Sequence, residues 1–193
     1  MARVSNPDNQ DNPDSDKLIS YLIRNQHWSP FEMVNVCIEI ETTRDIARQI
    51  LRHRSFTFQE FSQRYAKVGS DMFVKSEARM QDHKNRQNSL ETADDAVVDS
   101  WHQLQEKTAQ QAYKAYSEAL SMGIAKEVAR KVLPEGMTMS RMYVNGTLRS
   151  WMHYIKLRTD KATQKEHRLV AEECKSVIQC IAPFTKEYFD AKE

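Results

Sequence analysis

The sequence predicts an α+β protein, and three observations carry that prediction. Apolar residues alternate with polar ones from Val34 to Ile40, and a second strand-like run spans Met137 to Val144. Helical spacing dominates much of the remainder, most visibly between Glu91 and Met122. Only four glycines occur in 193 residues and none forms a Gly-rich phosphate loop, which argues against a doubly wound dinucleotide-binding fold. That length suits one substantial core, so a single domain over residues 1–193 is expected.

The N-terminal segment, residues 1–15, is loop-like: positions 6–16 are rich in Asn, Asp and Pro and lead to a helix cap at Asp14 or Ser15. Leu18, Ile19, Leu22 and Ile23 recur at helical spacing and predict an amphipathic helix over 16–26. His27-Trp28-Ser29-Pro30-Phe31-Glu32 breaks it, because a proline pushes the preceding residue out of the helical region. Val34, Val36, Ile38 and Ile40 then give a strand with one wet face. A helix from Thr43 to Arg52 follows, with Ile46 and Ile50 inward.

On that helix Arg44, Arg48 and Arg52 fall at i, i+4 and i+8, stacking like charges at some cost to the helix. Such a stretch expects an anion or an acidic partner, a solvated basic face being the alternative. Residues 66–88 show no period and read as a mobile connection. The long helix over 91–122 has Val97, Val98, Trp101, Leu104, Tyr113, Tyr116 and Leu120 as core candidates and Gly123 as its stop. A short helix from Ala125 to Leu133 ends before Pro134-Glu135-Gly136. After the second strand, Asn145-Gly146 reads as a turn into a helix from Thr147 to Leu157. A last amphipathic helix covers 162–180, with Leu169, Val170, Val177 and Ile178 inward.

Composition narrows the function. Lys plus Arg number 28 against 27 Asp plus Glu, a net charge of +1, which argues against a general electrostatic grip on nucleic acid. No run approaches the ~18 apolar residues of a membrane helix and no signal peptide is evident, so a cytoplasmic protein is expected. Cys37, Cys174 and Cys180 are an odd set whose spacing fits neither a redox pair nor a zinc site, as in a reducing compartment without a bound metal.

Basicity is instead local. From Arg52 to Tyr65 the chain reads Arg-His-Arg-Ser-Phe-Thr-Phe-Gln-Glu-Phe-Ser-Gln-Arg-Tyr, three arginines and a histidine around the single acid Glu60. A guanidinium donates two parallel charge-assisted hydrogen bonds, so this density points to a phosphate and heterocycle site. A salt-bridge cluster at an oligomer interface is one alternative. A platform for single-stranded nucleic acid, with Phe56, Phe58, Phe61 and Tyr65 stacking bases, is another.

The same run, Arg52-His53-Arg54, seven residues, then Ser62, resembles the signature of the flavin-dependent thymidylate synthases (ThyX). Ala47-Arg48-Gln49 upstream and Glu60, Arg64 and Tyr65 downstream extend the likeness. His27 to Glu32 resembles the family's His-x-(Ser/Thr)-Pro-Phe-Glu segment, Glu127-Val128-Ala129-Arg130 with Leu133-Pro134 resembles Glu-Val-Ala-Arg-x-x-Leu-Pro, and Leu157-Arg158 with Gln164 resembles the last block. Ala2-Arg3-Val4-Ser5 is similar to a piece that normally lies a strand's length inside, so a missing or shortened first strand is expected. Met33 stands where a histidine often follows Pro-Phe-Glu, Thr57 where Ser is usual, and Gln59 where Asn is usual.

The resemblance implies a ThyX-type mixed sheet flanked by helices, assembling as a homotetramer with shared active sites. It implies FAD contacts from Ser29, Arg52, His53, Arg54, Glu60, Thr147, Arg149 and His153, and dUMP contacts from Gln49, Arg52, Glu60, Phe61, Ser62, Gln63, Arg64, Arg130 and Arg158. The implied reaction is reductive methylation of dUMP to dTMP, with 5,10-methylenetetrahydrofolate and NADPH as co-substrates and Arg158 as the activating residue. No protein nucleophile is required. A family member that keeps the fold without turnover is the alternative that Met33 leaves open.

Overall fold

The computed structural model describes residues 2–191. Helix α1 (Asp16–Arg24) buries Leu22 and Ile23. It ends where Gln26 adopts a left-handed φ of 57°, with the Gln26 N–H donating to Ile23 O and the His27 N–H to Leu22 O at 3.1 and 2.8 Å. These two bonds satisfy the last carbonyls in the manner a C-terminal glycine usually permits. A 3₁₀ turn, Ser29–Met33, then admits Pro30 in its first turn.

Strand β1 (Asn35–Thr43) buries Ile38, Ile40 and Thr42 on one face and exposes the other. Helix α2 (Arg44–Ile50) turns Ile46, Ala47 and Ile50 inward. Strand β2 (Phe56–Glu60) carries the second half of the basic signature. Then come β3 (Arg79–Gln81), β4 (Ser89–Glu91), the long α3 (Asp95–Ser121), α4 (Lys126–Ala129) and β5 (Met139–Thr147). Helices α5 (Leu148–Arg158), α6 (Lys165–Ile181) and α7 (Thr185–Asp190) close the chain. Three strands form a sheet in the order β1-β5-β2, so the last strand in sequence is central. This mixed α+β architecture agrees with the predicted class.

The chain packs as two compact units, one of Met1–Ile38, His53–Phe58 and Tyr143–Glu193, the other of Glu39–Arg52 and Gln59–Met142. In the first, α5 packs on α6 and α7 and buries Trp151, Met152, Tyr154 and Ile155. In the second, Val68, Tyr116, Ala129 and Leu133 form a core cluster joined by Met72, Phe73, Ala119 and Leu120. No described helix is long and apolar enough to cross a membrane.

Four local expectations are corrected. Residues 66–88 are not a featureless connection: β3 pairs antiparallel with β4, with Met80 opposite Leu90. Asp82 stabilises the turn by accepting from Asn88 Nδ2 and from the Lys84 and Asn85 N–H groups. Helix α3 starts at Asp95 after an Asp94 cap that accepts from the Ala96 and Val97 N–H groups, and Leu104 is 55% exposed. The buried residue near Leu104 is Gln105, whose amide bonds the Ser76 N–H and carbonyl at 2.8 and 3.0 Å. An irregular backbone neighbour needs polar partners, so a glutamine takes the inward place.

Helix α6 turns His167, Ala171, Cys174 and Ile178 inward while Leu169 and Val177 are exposed. A histidine that hydrogen-bonds inside the core reads as polar in the sequence, which displaced the expected face. Finally, Asn145-Gly146 lies inside β5 and makes no turn. A Cβ on Gly146 would sit 2.2 Å from Phe56 Cδ1, so glycine serves close approach of the ring to the strand. Gly146→Ala is expected to cost about 1 to 3 kcal/mol, as overpacking does in a filled core. Urea unfolding with an unchanged midpoint would contradict this packing.

Candidate active site

The first unit builds a cavity on the start of α5. The Thr147 hydroxyl caps the helix by accepting from the Ser150 N–H at 3.2 Å. Arg149 and His153, one turn apart, then line a cavity of about 420 Å³ with Thr147, Ser150 and Ser55. Trp28 and Tyr188 supply aromatic walls, their rings crossing nearly perpendicular at 5.5 Å. Arg149 pairs with Glu32, which the 3₁₀ turn after Trp28 holds at the same cavity. Ser29 opens that turn and is exposed, as is Arg54.

Below the Arg149 helix face, Arg158 Nε donates to His53 Nε2 at 2.9 Å. An accepting Nε2 requires a neutral imidazole with its proton on Nδ1. Burial, reinforced by the charges of Arg158 and His153, holds the His53 pKa down at about 4. The His53 ring meets Tyr154 edge-on at 4.9 Å, and the Tyr154 hydroxyl bonds His167 Nε2 at 3.1 Å. His167 is fully buried and likewise held at about 4, by burial first and then by Arg158 and His53. Burial raises the Tyr154 phenol and pushes the Cys174 thiol up to about 12. Arg158 is therefore the one charge in this group at neutral pH.

Phe56 is buried against Trp151, with ring centroids 4.6 Å apart. It cannot stack on a base, which weakens a single-strand platform.

The second unit carries the acid of the signature. Glu60 Oε1 accepts from Arg44 Nη1 at 3.3 Å and from the Ser140 hydroxyl at 2.9 Å, while Oε2 lies 3.5 Å from Arg48 Nη1. Glu135 Oε1 lies 3.5 Å from Arg48 Nη2 and 4.0 Å from Arg44 Nε. Two arginines one turn apart on α2 are thus neutralised by two carboxylates. Arg44 is buried, and desolvation lowers its pKa despite Glu60. Nearby Arg48 and Arg130 act in the same direction as desolvation.

Beyond β2, the Phe61 N–H donates to Arg141 O at 2.8 Å, and the Ser62 carbonyl accepts from the Tyr65 and Ala66 N–H groups at 3.1 Å. This turn leaves Arg64 exposed and paired with Glu127 at 3.3 Å. Gln63 is 3% exposed, and its Nε2 is buried with no hydrogen-bond partner among the described residues. A buried orphan donor calls for an explanation, and a ligand acceptor is one. Gln49 is half-buried on α2, and Arg52 is exposed just past its end.

The family model described as thymidylate synthase complementing protein matches residues 1–184. The chain belongs to the flavin-dependent thymidylate synthase family. It is 52% identical over 170 residues to the flavin-dependent thymidylate synthase of Synechocystis sp., covering 88% of this chain and 77% of that protein. It is 50% identical over 178 residues to the probable flavin-dependent thymidylate synthase of Paramecium bursaria Chlorella virus 1, covering 92% and 82%. The solved UMP/dUMP methylase PolB from Streptomyces cacaoi, bound with 5-Br UMP, matches with a TM-score of 0.78 at 28% identity over 92% of this chain and 83% of that one.

Several residues around the ThyX signature escaped the sequence reading. Arg44 was visible only as a member of a basic face that expected an acidic partner. Ser140 and Glu135 carried no local signal, and neither did Tyr154 and His167 behind His53. Each is brought in by a contact distant in sequence.

Proposed function

We propose that this chain catalyses reductive methylation of dUMP to dTMP, with 5,10-methylenetetrahydrofolate as one-carbon donor. It works as a single-domain subunit of a cytoplasmic homotetramer whose active sites are shared between subunits. The observation that carries the reading is the bond from Arg158 Nε to the neutral His53. It fixes the guanidinium by one edge, and no hydrogen bond from the described residues takes either Nη group, so both are placed to meet a ligand.

The cavity beside Thr147 suits a flat heterocycle, because Trp28 and Tyr188 wall it and hydroxyls of Ser55, Thr147 and Ser150 rim it. Thr147, Arg149 and His153 would hold FAD there, with Ser29, Arg52, His53, Arg54 and Glu60 completing its contacts. Bound FAD, reduced by NADPH, supplies the hydride that turns the transferred carbon into a methyl group. The protein does the rest by placement.

Gln63, with its orphan amide, sits in the turn that would receive dUMP together with Phe61, Ser62 and Arg64. Gln49, Arg52, Glu60 and Arg130 complete that set. Arg158 beside the uracil amide favours its anion and makes carbon 5 of the ring more nucleophilic. Ser62 positions the nucleotide and does not attack. No cysteine is needed as nucleophile, and the Cys174 thiol stays protonated at neutral pH.

The purified protein is expected to be yellow, with one FAD per chain, and to form dTMP only when dUMP, methylenetetrahydrofolate and NADPH are all present. Light scattering should give a tetramer. A colourless protein, or a flavoprotein that makes no dTMP, would overturn the proposal.

A further inference from the structure

The geometry points to Arg44, which belongs to neither ligand set above, as a positioning residue for the Glu60 carboxylate. This rests on the reading of Glu60 as a ligand contact. Arg44 is nearly closed to solvent, its side chain 7% exposed, whereas Arg48 is 46% exposed. Glu60 is therefore held unequally. Its Oε1 takes two donors, Arg44 Nη1 and the Ser140 hydroxyl, and is spent on the protein. Its Oε2 has Arg48 Nη1 at 3.5 Å, an ion pair without the hydrogen bond that Arg44 makes. One carboxylate oxygen is locked and the other keeps its capacity to accept from an N–H or hydroxyl of the nucleotide.

A carboxylate free to rotate would lose that preference, because either oxygen could turn to Arg48. The buried fork of Arg44 prevents it. Glu135 supports Arg44 from the far side, at 4.0 Å from Nε, so the guanidinium has carboxylates against two of its edges. Arg44 thereby acts through Glu60, without touching the nucleotide itself.

The test is dUMP titration of FAD-loaded enzyme by calorimetry, with the flavin spectrum and thermal midpoint recorded alongside. R44M, read on protein whose flavin spectrum shows FAD bound, is expected to weaken dUMP about 10- to 100-fold, the worth of a charge-assisted contact. R44K should recover part of this, since it returns the charge without the fork. S140A, which removes the second donor on Oε1, should weaken dUMP about 3- to 10-fold. The decisive comparison is with E60Q: adding R44M to E60Q should weaken dUMP no further, because Arg44 acts through that carboxylate.

Fully additive losses, or folded R44M within twofold of wild type, would overturn the inference. If R44M does not fold, R44K and S140A both within twofold of wild type overturn it equally. Wild-type enzyme that binds no dUMP at all would instead remove the functional reading on which the inference rests.

Discussion

Replacing Arg158 by alanine is expected to lower dTMP formation about 30- to 1000-fold while flavin content stays near that of the wild type. A donor that binds charge developing on the ring is worth roughly 2 to 4 kcal/mol in the transition state. Arg158 meets the structural requirement for that role. Its Nε is already committed to His53 at 2.9 Å, so no reorganisation is needed when substrate arrives. His53, which accepts from it, and Tyr154 and His167 behind that ring are all neutral at pH 7, so none of the three competes with an anionic ring for the guanidinium.

Arg158→Lys should restore activity only in part, since a point charge cannot both hold His53 and offer a planar fork. Turnover at saturating dUMP, read with the flavin spectrum, checks this. Near wild-type turnover in the alanine variant would remove the activation role. Loss of FAD would move Arg158 to the cofactor.

Lowering the pH from 7 to 5 is expected to destabilise the folded protein steeply. His53 and His167 are both held near pKa 4 in the fold, against 6.5 for an unperturbed imidazole. Between those values the unfolded chain binds more protons than the folded one, so stability falls as pH falls. The contribution of the two neutral imidazoles is complete above pH 6.5 and is lost as pH drops towards 4. Each tenfold preference for the neutral form is about 1.4 kcal/mol, so the pair accounts for about 3 to 5 kcal/mol once His53 is discounted for its partial exposure.

Urea unfolding at pH 7, 6 and 5 measures the slope in a window where most carboxylates stay ionised. His53→Gln keeps an acceptor for Arg158 but cannot titrate, and should reduce that slope by roughly half. An unchanged slope in this variant would mean that His53 is not held neutral by the fold.

Much of the candidate site was readable because it is local. The Arg-His-Arg signature, the Pro-Phe-Glu segment and the Leu-Arg pair are short runs whose side-chain chemistry survives in the sequence. Helix α5 appeared one residue from its expected start, because a threonine cap and a 3.6-residue period are properties of neighbouring residues. Strand β1 appeared for the same reason, through its alternation. The three-residue strands β3 and β4 did not, since three residues cannot display a period.

Sequence alone determined where the basic signature lies, to which family it is similar, and helices α1 to α6 though not the short α7, since each depends on residues within a few turns of one another. Tertiary structure decided the rest. Asn145-Gly146 has the local preferences of a turn, yet it runs through a strand because Phe56 occupies the space a side chain would need. The basic face of α2 found its acidic partner 16 residues away in Glu60 and again in Glu135. His53 and Arg158, 105 residues apart, define each other's state, because burial sets the imidazole neutral and neutrality lets it accept from the guanidinium. Desolvation and long-range contact have no local signature, and they are what bring these residues together.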